Sequence, residues 1–454
     1  MRTLLPPAPG SAPANSDREQ RVRELGRRIA AGQAAAGGGR TRVLEDRGME
    51  LLSRDPALKA ALFRLVDVAP ACSGPREVAA HLASLLGEVE RPLAPVKAAR
   101  RASLRPSTRY AVGSVAGIAV HRMAKRFIVG AGPAEAVPAL QRLWTSGAAT
   151  SVDLLGEATV TAAEADRYAQ RCNEALRTLA RAAANWPAQK TLEADSHGPI
   201  PRVNLSVKVT ALTARVRAEA PELGIEDAKH RLRNLLRTAK AVGAHLHVDM
   251  ESMDSRDLIT ELVIQLLNEP EFRDGPSAGI VLQAYLRDAD EQLDRLLEGY
   301  AAAQRSLPLT IRLVKGAYWE HETVEARQNG WTPPVFEAKV ESDRNFERLT
   351  RRLIAEKQLV RPAIASHNVR SIAHALAHAE NHKDIEFQVL RGLGDDLQQA
   401  LAGMDLRVRT YCPVGDLVAG MSYLVRRLLE NTSNDSFLLS RSRGDDLDQL
   451  LAAP

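Results

Sequence analysis

The chain has 454 residues, of which 45% are hydrophobic and 26% charged, and its formal net charge is +5. This composition is typical of a soluble globular protein, and no apolar run is long enough to span a bilayer. The three cysteines, Cys72, Cys172 and Cys412, are widely spaced, which argues against a disulfide framework or a zinc site and favours a reducing compartment.

The first third of the chain predicts a helical arm. Residues 1–16 are rich in Pro, Ala and Gly and predict a disordered tail rather than a signal peptide. Residues 17–147 show charged or amphipathic helical spacing. The predicted helices are Ser16–Ala31, Arg42–Leu52, Pro56–Asp67, Pro75–Gly87, Ser103–Gly130 and Pro133–Thr145. A modest basic excess spread along the chain is typical of a solvated surface. The basic runs Val96–Arg101 and Arg122–Arg126 also suit contact with acidic lipid or nucleic acid, although no nucleic-acid motif supports the second.

From Thr150 onward the pattern alternates between strands and helices. The predicted strands are Ser151–Gly156, Asn204–Val209, Ala244–Met250, Gly279–Tyr285, Leu309–Lys315, Ala363–Ser366, Asp384–Val389 and Leu406–Tyr411. Helical segments lie between them, and a last helix follows at Asp416–Glu430. Eight such units predict an α/β fold, a (β/α)8 barrel over residues 148–440, with a tail or linker at 441–454. A doubly wound open sheet is the alternative, but no GxGxxG motif follows the first strand.

Every predicted strand ends near a polar residue, and these ends share one face of a barrel, where active sites lie. The eight residues are Glu157, Lys208, Asp249, Gln283, Arg312, His367, Gln388 and Tyr411. Arg312 interrupts the buried strand LTIRLV, so it needs a carboxylate or a ligand. We expect Lys208, Asp249 and Arg312 to lie close together at the mouth, where they suit a zwitterion or a flavin. A salt bridge that closes the barrel is the alternative for any one of them.

The last predicted helix carries Tyr423, Arg426, Arg427 and Glu430 at spacings of three and four residues, so these side chains can be neighbours. An exposed intrahelical ion pair is the alternative. Arg426 lies about 15 Å along this helix at 1.5 Å per residue. The arginines therefore reach the site only if the helix crosses the top of the barrel.

Two histidine patterns and one lysine suggest other chemistry. His245 and His247 form an HxH pair, and His374, His378 and His382 recur at four-residue spacing on a segment predicted to be exposed. A barrel lysine such as Lys208 can also form a Schiff base. The HxH pair begins far from the mouth, and we predict no metal site.

Several motifs resemble the proline dehydrogenase family, and most of all the proline dehydrogenase domain of bacterial bifunctional proline utilization A. The motifs are LFRLVDV at 62–68, LLGE at 154–157, RLVKGAYW at 312–319, SHN at 366–368, YCPVG at 411–415 and YLVRRLLEN at 423–431. The resemblance covers roughly residues 50–440. It implies a distorted barrel that binds FAD without a Rossmann fold, with its last helix over the mouth.

The resemblance also implies a reaction, which is oxidation of L-proline to Δ1-pyrroline-5-carboxylate by hydride transfer from C5 to flavin N5. Electrons then pass to a membrane quinone, in the first step of proline catabolism to glutamate. Arg312 and Asp249 are the implied catalytic residues. The implied substrate-binding residues are Lys208, Tyr318, Leu390, Tyr411, Tyr423, Arg426 and Arg427. Tyr411 favours proline over hydroxyproline, because the family's hydroxyproline members carry a smaller residue there.

The implied FAD contacts, besides Arg312, are Met250, Gln283, Val314, Lys315, Gly316, Ala317, Lys339, His367 and Asn368, with Gly316 letting the backbone approach the cofactor closely. Glu157 and Glu430 are implied supporting residues. Glu337 replaces a hydroxyl residue of the family and is left out of the predicted site.

The implied partners are L-proline, a membrane quinone and a fused or separate pyrroline-5-carboxylate dehydrogenase, without nucleic acid. Residues after Asn431 resemble the linker to that dehydrogenase, so the chain is either a fragment of a bifunctional enzyme or a separately encoded half. The implied location is the cytoplasm, peripherally associated with the inner face of the cell membrane. A metabolite-binding scaffold without catalysis is the alternative from another functional class.

Overall fold

The computed structural model describes residues 12–36, 55–90, 92–156, 159–217, 219–416, 420 and 446–454. Helices of the N-terminal arm precede a closed barrel of parallel strands. In these ranges no helix combines the length and the apolar character that are needed to cross a membrane.

The described arm helices are α1 Ala12–Ala36, α2 Pro56–Val68, α3 Pro75–Gly87, α4 Ala94–Leu104, α5 Arg109–Phe127 and α6 Pro133–Thr145. The prediction of one helix over Ser103–Gly130 is wrong. Pro106 disfavours the helical conformation of the residue before it, and Arg105 is extended, with φ −73° and ψ 129°. α4 therefore ends at Leu104, and α5 begins after a short turn.

Both ends of the described chain pack on the barrel. α1 starts at Ala12, so the predicted disordered tail is wrong for residues 12–16, where alanines extend the helix. α1 contacts two barrel helices, and near the C-terminus the short helix Leu447–Leu450 lies against α1. Leu451 is fully buried beside Gly26, and Asp448 pairs with Arg27 at 2.8 Å. Residues 446–454 are therefore docked and do not form a free tail. The predicted helix Arg42–Leu52 lies outside the described residues.

The predicted eight-stranded parallel barrel is confirmed. Its strands are β1 Ala148–Leu154, β4 Asn204–Val207, β5 His245–Val248, β6 Ser277–Gln283, β7 Leu309–Val314, β8 Val360–Ala365, β9 Glu386–Leu390 and β10 Val408–Val414. β1 pairs with both β4 and β10, which closes the ring. A small hairpin, β2 Ala194–Asp195 and β3 Gly198–Pro199, was not predicted.

Helices surround the barrel. They are α7 Ala162–Ala183, α8 Lys190–Glu193, α9 Pro221–Val242, α10 Met253–Leu267, α11 Ala289–Ala302, α12 Trp319–Gln328, α13 Lys339–Ala355, α14 Val369–His378 and α15 Asp395–Gly403. The predicted bounds differ from these mainly at the ends, where local signals are weakest. α1 packs on α14 and α15, so the histidine segment predicted to be exposed is covered, and His374 is only 4% exposed.

Strand side chains alternate between the barrel interior and the helices. In β7, Ile311 and Leu313 are fully buried hydrophobic residues, whereas the intervening Arg312 bonds across the interior. The same alternation gives β5 an inward-facing His245 and His247 and an outward-facing Leu246. The interior of this barrel is therefore polar and hydrogen-bonded, unlike the aliphatic layers that usually fill such barrels.

Gly279 in β6 makes room for an imidazole inside the barrel. A Cβ at this position would lie 2.3 Å from Nδ1 of His247 and 2.8 Å from the backbone oxygen of Thr310. His247 in turn stacks on His245, with ring centroids 5.5 Å apart. A side chain at position 279 would displace the His247 ring or the β7 backbone.

We expect Gly279→Ala to lower the free energy of unfolding by about 1–3 kcal/mol, because the interior is overpacked. Urea unfolding monitored by circular dichroism measures the change. Gly117→Ala is the matched control, since no atom lies within 4 Å of its added Cβ and alanine favours a helix. Equal stability of Gly279→Ala and the wild type would contradict the described packing.

Candidate active site

Arg312 lies at the centre of the polar cluster in the barrel mouth. It is 5% exposed, and its guanidinium donates from Nε to Gln388 Oε1 at 2.6 Å and from Nη1 to Asp249 Oδ1 at 2.6 Å. Nη2 lies 3.3 Å from Ser151 Oγ and 3.2 Å from Ser206 Oγ. Partners from four other strands or strand ends therefore fix the orientation of this arginine.

Tyr411 and Asp249 complete the cluster around Arg312. The Tyr411 hydroxyl donates to Asp249 Oδ2 at 2.7 Å, so both carboxylate oxygens of Asp249 are bonded. Arg312 Cζ lies 5.3 Å from the centroid of the Tyr411 ring, within the range of a cation–π contact. The expected proximity of Arg312 and Asp249 is confirmed by these contacts, and Tyr411 joins them.

Lys208 has a different main partner from the one expected. Its ammonium donates to both oxygens of Asp153, at 2.7 and 2.8 Å. Burial lowers the pKa of Lys208, but attraction to Asp153, Asp249 and Glu251 outweighs burial and raises this pKa above its ordinary value. Lys208 is therefore a protonated ion-pair partner of Asp153, which argues against a Schiff-base role that needs a neutral amine.

Gln283 ends β6 with one polar atom that lacks a partner. Its Nε2 donates to the backbone oxygen of Glu251 at 3.0 Å, whereas its buried Oε1 has no hydrogen-bond partner in the described part of the chain. An unsatisfied buried acceptor is costly and suits a ligand that carries an N–H donor. Glu251 itself accepts from Thr210, and burial raises its pKa.

A pair of lysines shares one carboxylate beside the end of β7. Asp343 accepts from Lys315 and, at 2.8 Å, from Lys339. Burial lowers the pKa of Lys315, and the two lysines hold the pKa of Asp343 below its ordinary value against the effect of burial. This trio keeps one surplus positive charge. Glu337, which we left out of the site, pairs with Arg327 at 2.6 Å.

The loop after β8 is organised by its own side chains. His367 Nε2 accepts from the backbone N–H of Leu390 at 2.9 Å, which joins this loop to the end of β9. Asn368 caps α14 by accepting from the backbone N–H of Arg370. The N-terminus of α14 and that of α13, which begins at Lys339, can offer N–H groups to an anion.

The glycine that ends the β7 motif is required by its backbone conformation and by a neighbouring ring. Gly316 has φ +136°, and a Cβ there would lie 2.4 Å from the Tyr285 ring. Its missing side chain therefore makes room for Tyr285 and allows a left-handed backbone. Val314 and Lys315 use their carbonyls to accept from Ala284 and Tyr285 at 2.8 and 2.7 Å.

The other predicted contacts divide into two groups. Met250 is buried, Tyr318 is half-buried at the start of α12, and Ala317 is exposed. Five predicted site residues lie outside the described residues. They are Glu157, Tyr423, Arg426, Arg427 and Glu430. Most of the last predicted helix, which was expected to cross the barrel mouth, also lies outside the described residues.

A buried ionic column supports the mouth from below. Gln388, which accepts from Arg312, donates from Nε2 to Glu386 Oε1 at 2.7 Å. Arg409 forms a bidentate pair with Glu386, with both distances 2.8 Å. Burial alone would raise the pKa of Glu386, but Arg409, Arg407 and the Gln388 hydrogen bond lower it to about 2.

The column ends at the β2–β3 hairpin. Arg361 donates to both oxygens of Asp195, at 2.7 and 2.8 Å, and Arg407 reaches the same carboxylate at 3.2 Å. Arg407 also lies 3.9 Å from Glu386, so it connects the two carboxylates. Asp195 therefore anchors the hairpin to charges that lie inside the barrel.

The histidine patterns serve packing in the described residues. His245 Nδ1 lies 2.8 Å from Ser277 Oγ, and burial lowers the pKa of His245 to about 3. His374 lies 3.3 Å from a carboxylate oxygen of Glu347, and burial lowers the pKa of His374 to about 3 as well. His378 bonds to the His374 backbone. The candidate metal-ligand groups in the described ranges are Cys72 with Glu77 and His81, and Asp254 with His321 and Glu325, neither of which includes these histidines.

Several members of the cluster were not predicted, although strand alternation or helical spacing indicates most of them. Asp153 shares a face with Ser151, and Glu386 shares a face with Gln388. Asp343 lies on α13, four residues after Lys339, where an ion pair is expected. Asp195 could not be found in this way, because no pattern predicted its hairpin.

Fold and site define a (β/α)8-barrel protein with a charged, hydrogen-bonded mouth. A profile described as "Proline dehydrogenase" matches residues 136–440, and one described as "Proline utilization A N-terminal domain" matches residues 19–127. The chain belongs to the proline dehydrogenase family.

Individual relatives agree with this assignment. "Bifunctional protein PutA" of Salmonella typhimurium is 31% identical over 349 residues, which cover 74% of this chain and 25% of the relative. "Proline dehydrogenase 1" of Bacillus subtilis (strain 168) is 28% identical, covering 70% of this chain and 89% of the relative. The solved structure of proline utilization A from Bdellovibrio bacteriovorus, inactivated by N-propargylglycine, has a TM-score of 0.87 and 34% identity, covering 96% of this chain and 44% of that one. The chain thus spans about a quarter of the Salmonella protein and less than half of the Bdellovibrio protein.

We expect Glu386→Gln to lower the free energy of unfolding by about 3–5 kcal/mol near pH 7, because it leaves buried arginines without their carboxylate. The folded pKa of Glu386, about 2, lies below its ordinary value, so its stabilisation is complete above about pH 5 and is lost as the pH falls toward 2. The stability difference between wild type and variant should therefore shrink as the pH falls. Urea unfolding at pH 7, 5 and 3 measures it.

Glu347→Gln is the matched control, since Glu347 is another buried glutamate paired with an arginine, Arg370. Burial raises the pKa of Glu347, so its contribution should change with pH in the opposite direction. The same pH trend in both variants would contradict the proposed charge state of the column.

Proposed function

We propose that this chain carries an FAD-dependent proline dehydrogenase activity, oxidising L-proline to Δ1-pyrroline-5-carboxylate. The observation that carries the proposal is the fixed guanidinium of Arg312 at the barrel mouth, held by Asp249 and Gln388 in a chain of this family. A buried cation with fixed orientation can stabilise negative charge that develops beside it. A non-catalytic scaffold would not need this orientation.

The residues around the mouth fit FAD. The unpartnered Gln283 Oε1 can accept from a ring N–H, and the surplus charge shared by Lys315 and Lys339 suits a diphosphate. In this proposal the residues that hold the cofactor, with Arg312, are Met250, Gln283, Val314, Lys315, Gly316, Ala317, Lys339, His367 and Asn368. FAD, when bound, would accept a hydride from C5 of proline at N5.

The chain itself would bind and orient proline. The substrate carboxylate would meet Lys208, Arg426 and Arg427, since Lys208 keeps a third N–H beyond its two contacts with Asp153. Tyr318, Leu390, Tyr411 and Tyr423 would enclose the apolar ring. Asp249 would keep Arg312 and Tyr411 in place. Such positioning is the main contribution of a protein to cofactor chemistry.

The wider role follows from the reaction and the relatives. Electrons would pass to a membrane quinone, and the product would pass to a pyrroline-5-carboxylate dehydrogenase, fused or separate, in the first step of proline catabolism to glutamate. The bifunctional names of the relatives and the partial length of their match support a fused or partnered module. A cytoplasmic location, peripheral at the inner face of the membrane, suits a quinone acceptor.

Anaerobic mixing with L-proline tests the proposal. We expect the purified chain to carry FAD and the flavin absorbance to bleach on addition of L-proline, faster than with hydroxyproline. Arg312→Met should slow reduction about 10²–10³-fold, as expected for loss of one preorganised charge donor. Stopped-flow absorbance measures both rates.

Arg231→Met is the matched control, because Arg231 is a similarly buried, ion-paired arginine on α9 and its hydrogen bonds go to Asp166, Leu212 and Asp227, none of which has a proposed catalytic or binding role. It should cost stability but leave the reduction rate of the folded protein within about threefold of wild type. A protein that takes up no FAD, or a flavin that L-proline does not bleach, would refute the function.

A further inference from the structure

The arm contains a segment in which all charged residues are basic. Residues 91–134 include nine Lys and Arg residues and no Asp or Glu, whereas the whole chain has 61 basic and 56 acidic residues. The rest of the chain therefore has a net charge of −4. This segment covers α4 and α5, and none of the proposed catalytic roles uses it.

The helix α5 is apolar on two opposite faces. Gly113, Val120, Ala124 and Phe127 are buried on one face, and a Cβ on Gly113 would lie 1.7 Å from the backbone oxygen of Pro75. This face packs closely on α3 and is therefore not available to bind a partner. On the opposite face, at i, i+3 and i+7 spacing, the side chains are exposed.

The exposed face has apolar residues followed by basic ones. Val115 is 68% exposed and Ile118 is 53% exposed, and the same face continues with Arg122 and Lys125 in the last two turns. Single exposed hydrophobic residues need no explanation, but several large ones on one helix mark an interaction site.

The neighbouring helix extends the same pattern. Leu104 is 62% exposed at the end of α4, and Tyr110 is 59% exposed at the start of α5. Lys97 and Arg101 are exposed cations of α4 at helical spacing with Leu104, and the exposed Arg105 directly follows Leu104. Among the described residues none of these three cations forms an ion pair. We name this set, with the exposed face of α5, the α4–α5 surface.

An anionic bilayer matches the α4–α5 surface better than a protein partner does. Helices that lie in a membrane interface combine aliphatic side chains with Lys and Arg and few acidic residues. Each Lys or Arg near an anionic leaflet contributes to binding. Protein interfaces, in contrast, place aromatic anchors at their centre and are enriched in arginine but depleted of lysine, whereas this surface carries both kinds of cation. Of the four large hydrophobic side chains of the α4–α5 surface, three are aliphatic and the aromatic one is a tyrosine.

We propose that the α4–α5 surface docks on the anionic surface of a lipid bilayer, with Val115, Ile118 and Leu104 inserted among the headgroups and the cations beside lipid phosphates. The docking needs no catalytic step and stands whether or not the proposed activity is correct. If that activity is correct, docking brings the chain to the membrane that holds its proposed acceptor.

Vesicle flotation tests the proposal with the full chain and two vesicle types, pure phosphatidylcholine and phosphatidylcholine with about one quarter phosphatidylglycerol. We expect binding to the anionic vesicles only, weakened by high salt. Arg122→Glu with Lys125→Glu should weaken that binding at least about twenty-fivefold, from about fivefold per cation removed. Val115→Ser with Ile118→Ser should weaken it about tenfold or more.

The control variants carry the same changes elsewhere on the surface. Arg177→Glu with Arg181→Glu changes two exposed arginines of α7, and Leu223→Ser with Val324→Ser changes two exposed aliphatic side chains. Both should bind as the wild type does, apart from the smaller effect of net charge.

Equal loss of binding in the test and control variants, or no preference for anionic vesicles, would overturn the proposal. So would self-association through α4–α5 without lipid binding, seen as a dimer that V115S/I118S dissolves. Flavin bleaching by L-proline in all four variants separates this outcome from a failure of the catalytic proposal.

Discussion

A column of charged side chains, joined by hydrogen bonds and ion pairs, fills the barrel, and the geometry of the barrel mouth depends on this column. The column runs from Asp195 through Arg407 to Glu386, and then through Gln388 to Arg312 and Asp249. A buried charge is tolerated only when it is paired and bonded, so each member needs its neighbours. The orientation of Arg312 is therefore set by the whole interior and not by one contact. A site built on strands in this way is held more rigidly than one built on loops.

The residues around the column make room for its charged side chains and stabilise the strands that carry them. Small side chains, such as Gly279 beside His247 and the two serines beside Arg312, leave space for large polar groups that could not fit an aliphatic core. The hydrophobic effect acts on the other side of the strands, where apolar residues pack against the helices. The stability of the fold thus comes mainly from the apolar layer between the strands and the surrounding helices. The polar interior of the barrel holds the charged groups in place. We infer that this division allows the mouth to carry a cofactor and a zwitterion.

The fold could be predicted from the sequence because eight apolar strands alternate with amphipathic helices over residues 148–416. The inward direction of Arg312 followed from alternation in β7. The partner of Lys208 could not be predicted, because an ion pair between β1 and the end of β4 depends on strand register, which periodicity alone does not give. Pro106 is the sequence signal for the break between α4 and α5, because it disfavours a helical conformation at Arg105. The hairpin that carries Asp195 has two-residue strands, too short for any periodic signal.

The central claim is that Gln388 acts by holding Arg312 in position for the reduction of FAD by L-proline. A double-mutant cycle of Arg312→Lys and Gln388→Met on the rate of flavin reduction tests it most directly. If the claim holds, each single variant slows reduction and the double variant is no slower than Arg312→Lys alone, because the orientation is already lost. Additive losses would show that the two residues act independently and would contradict the account.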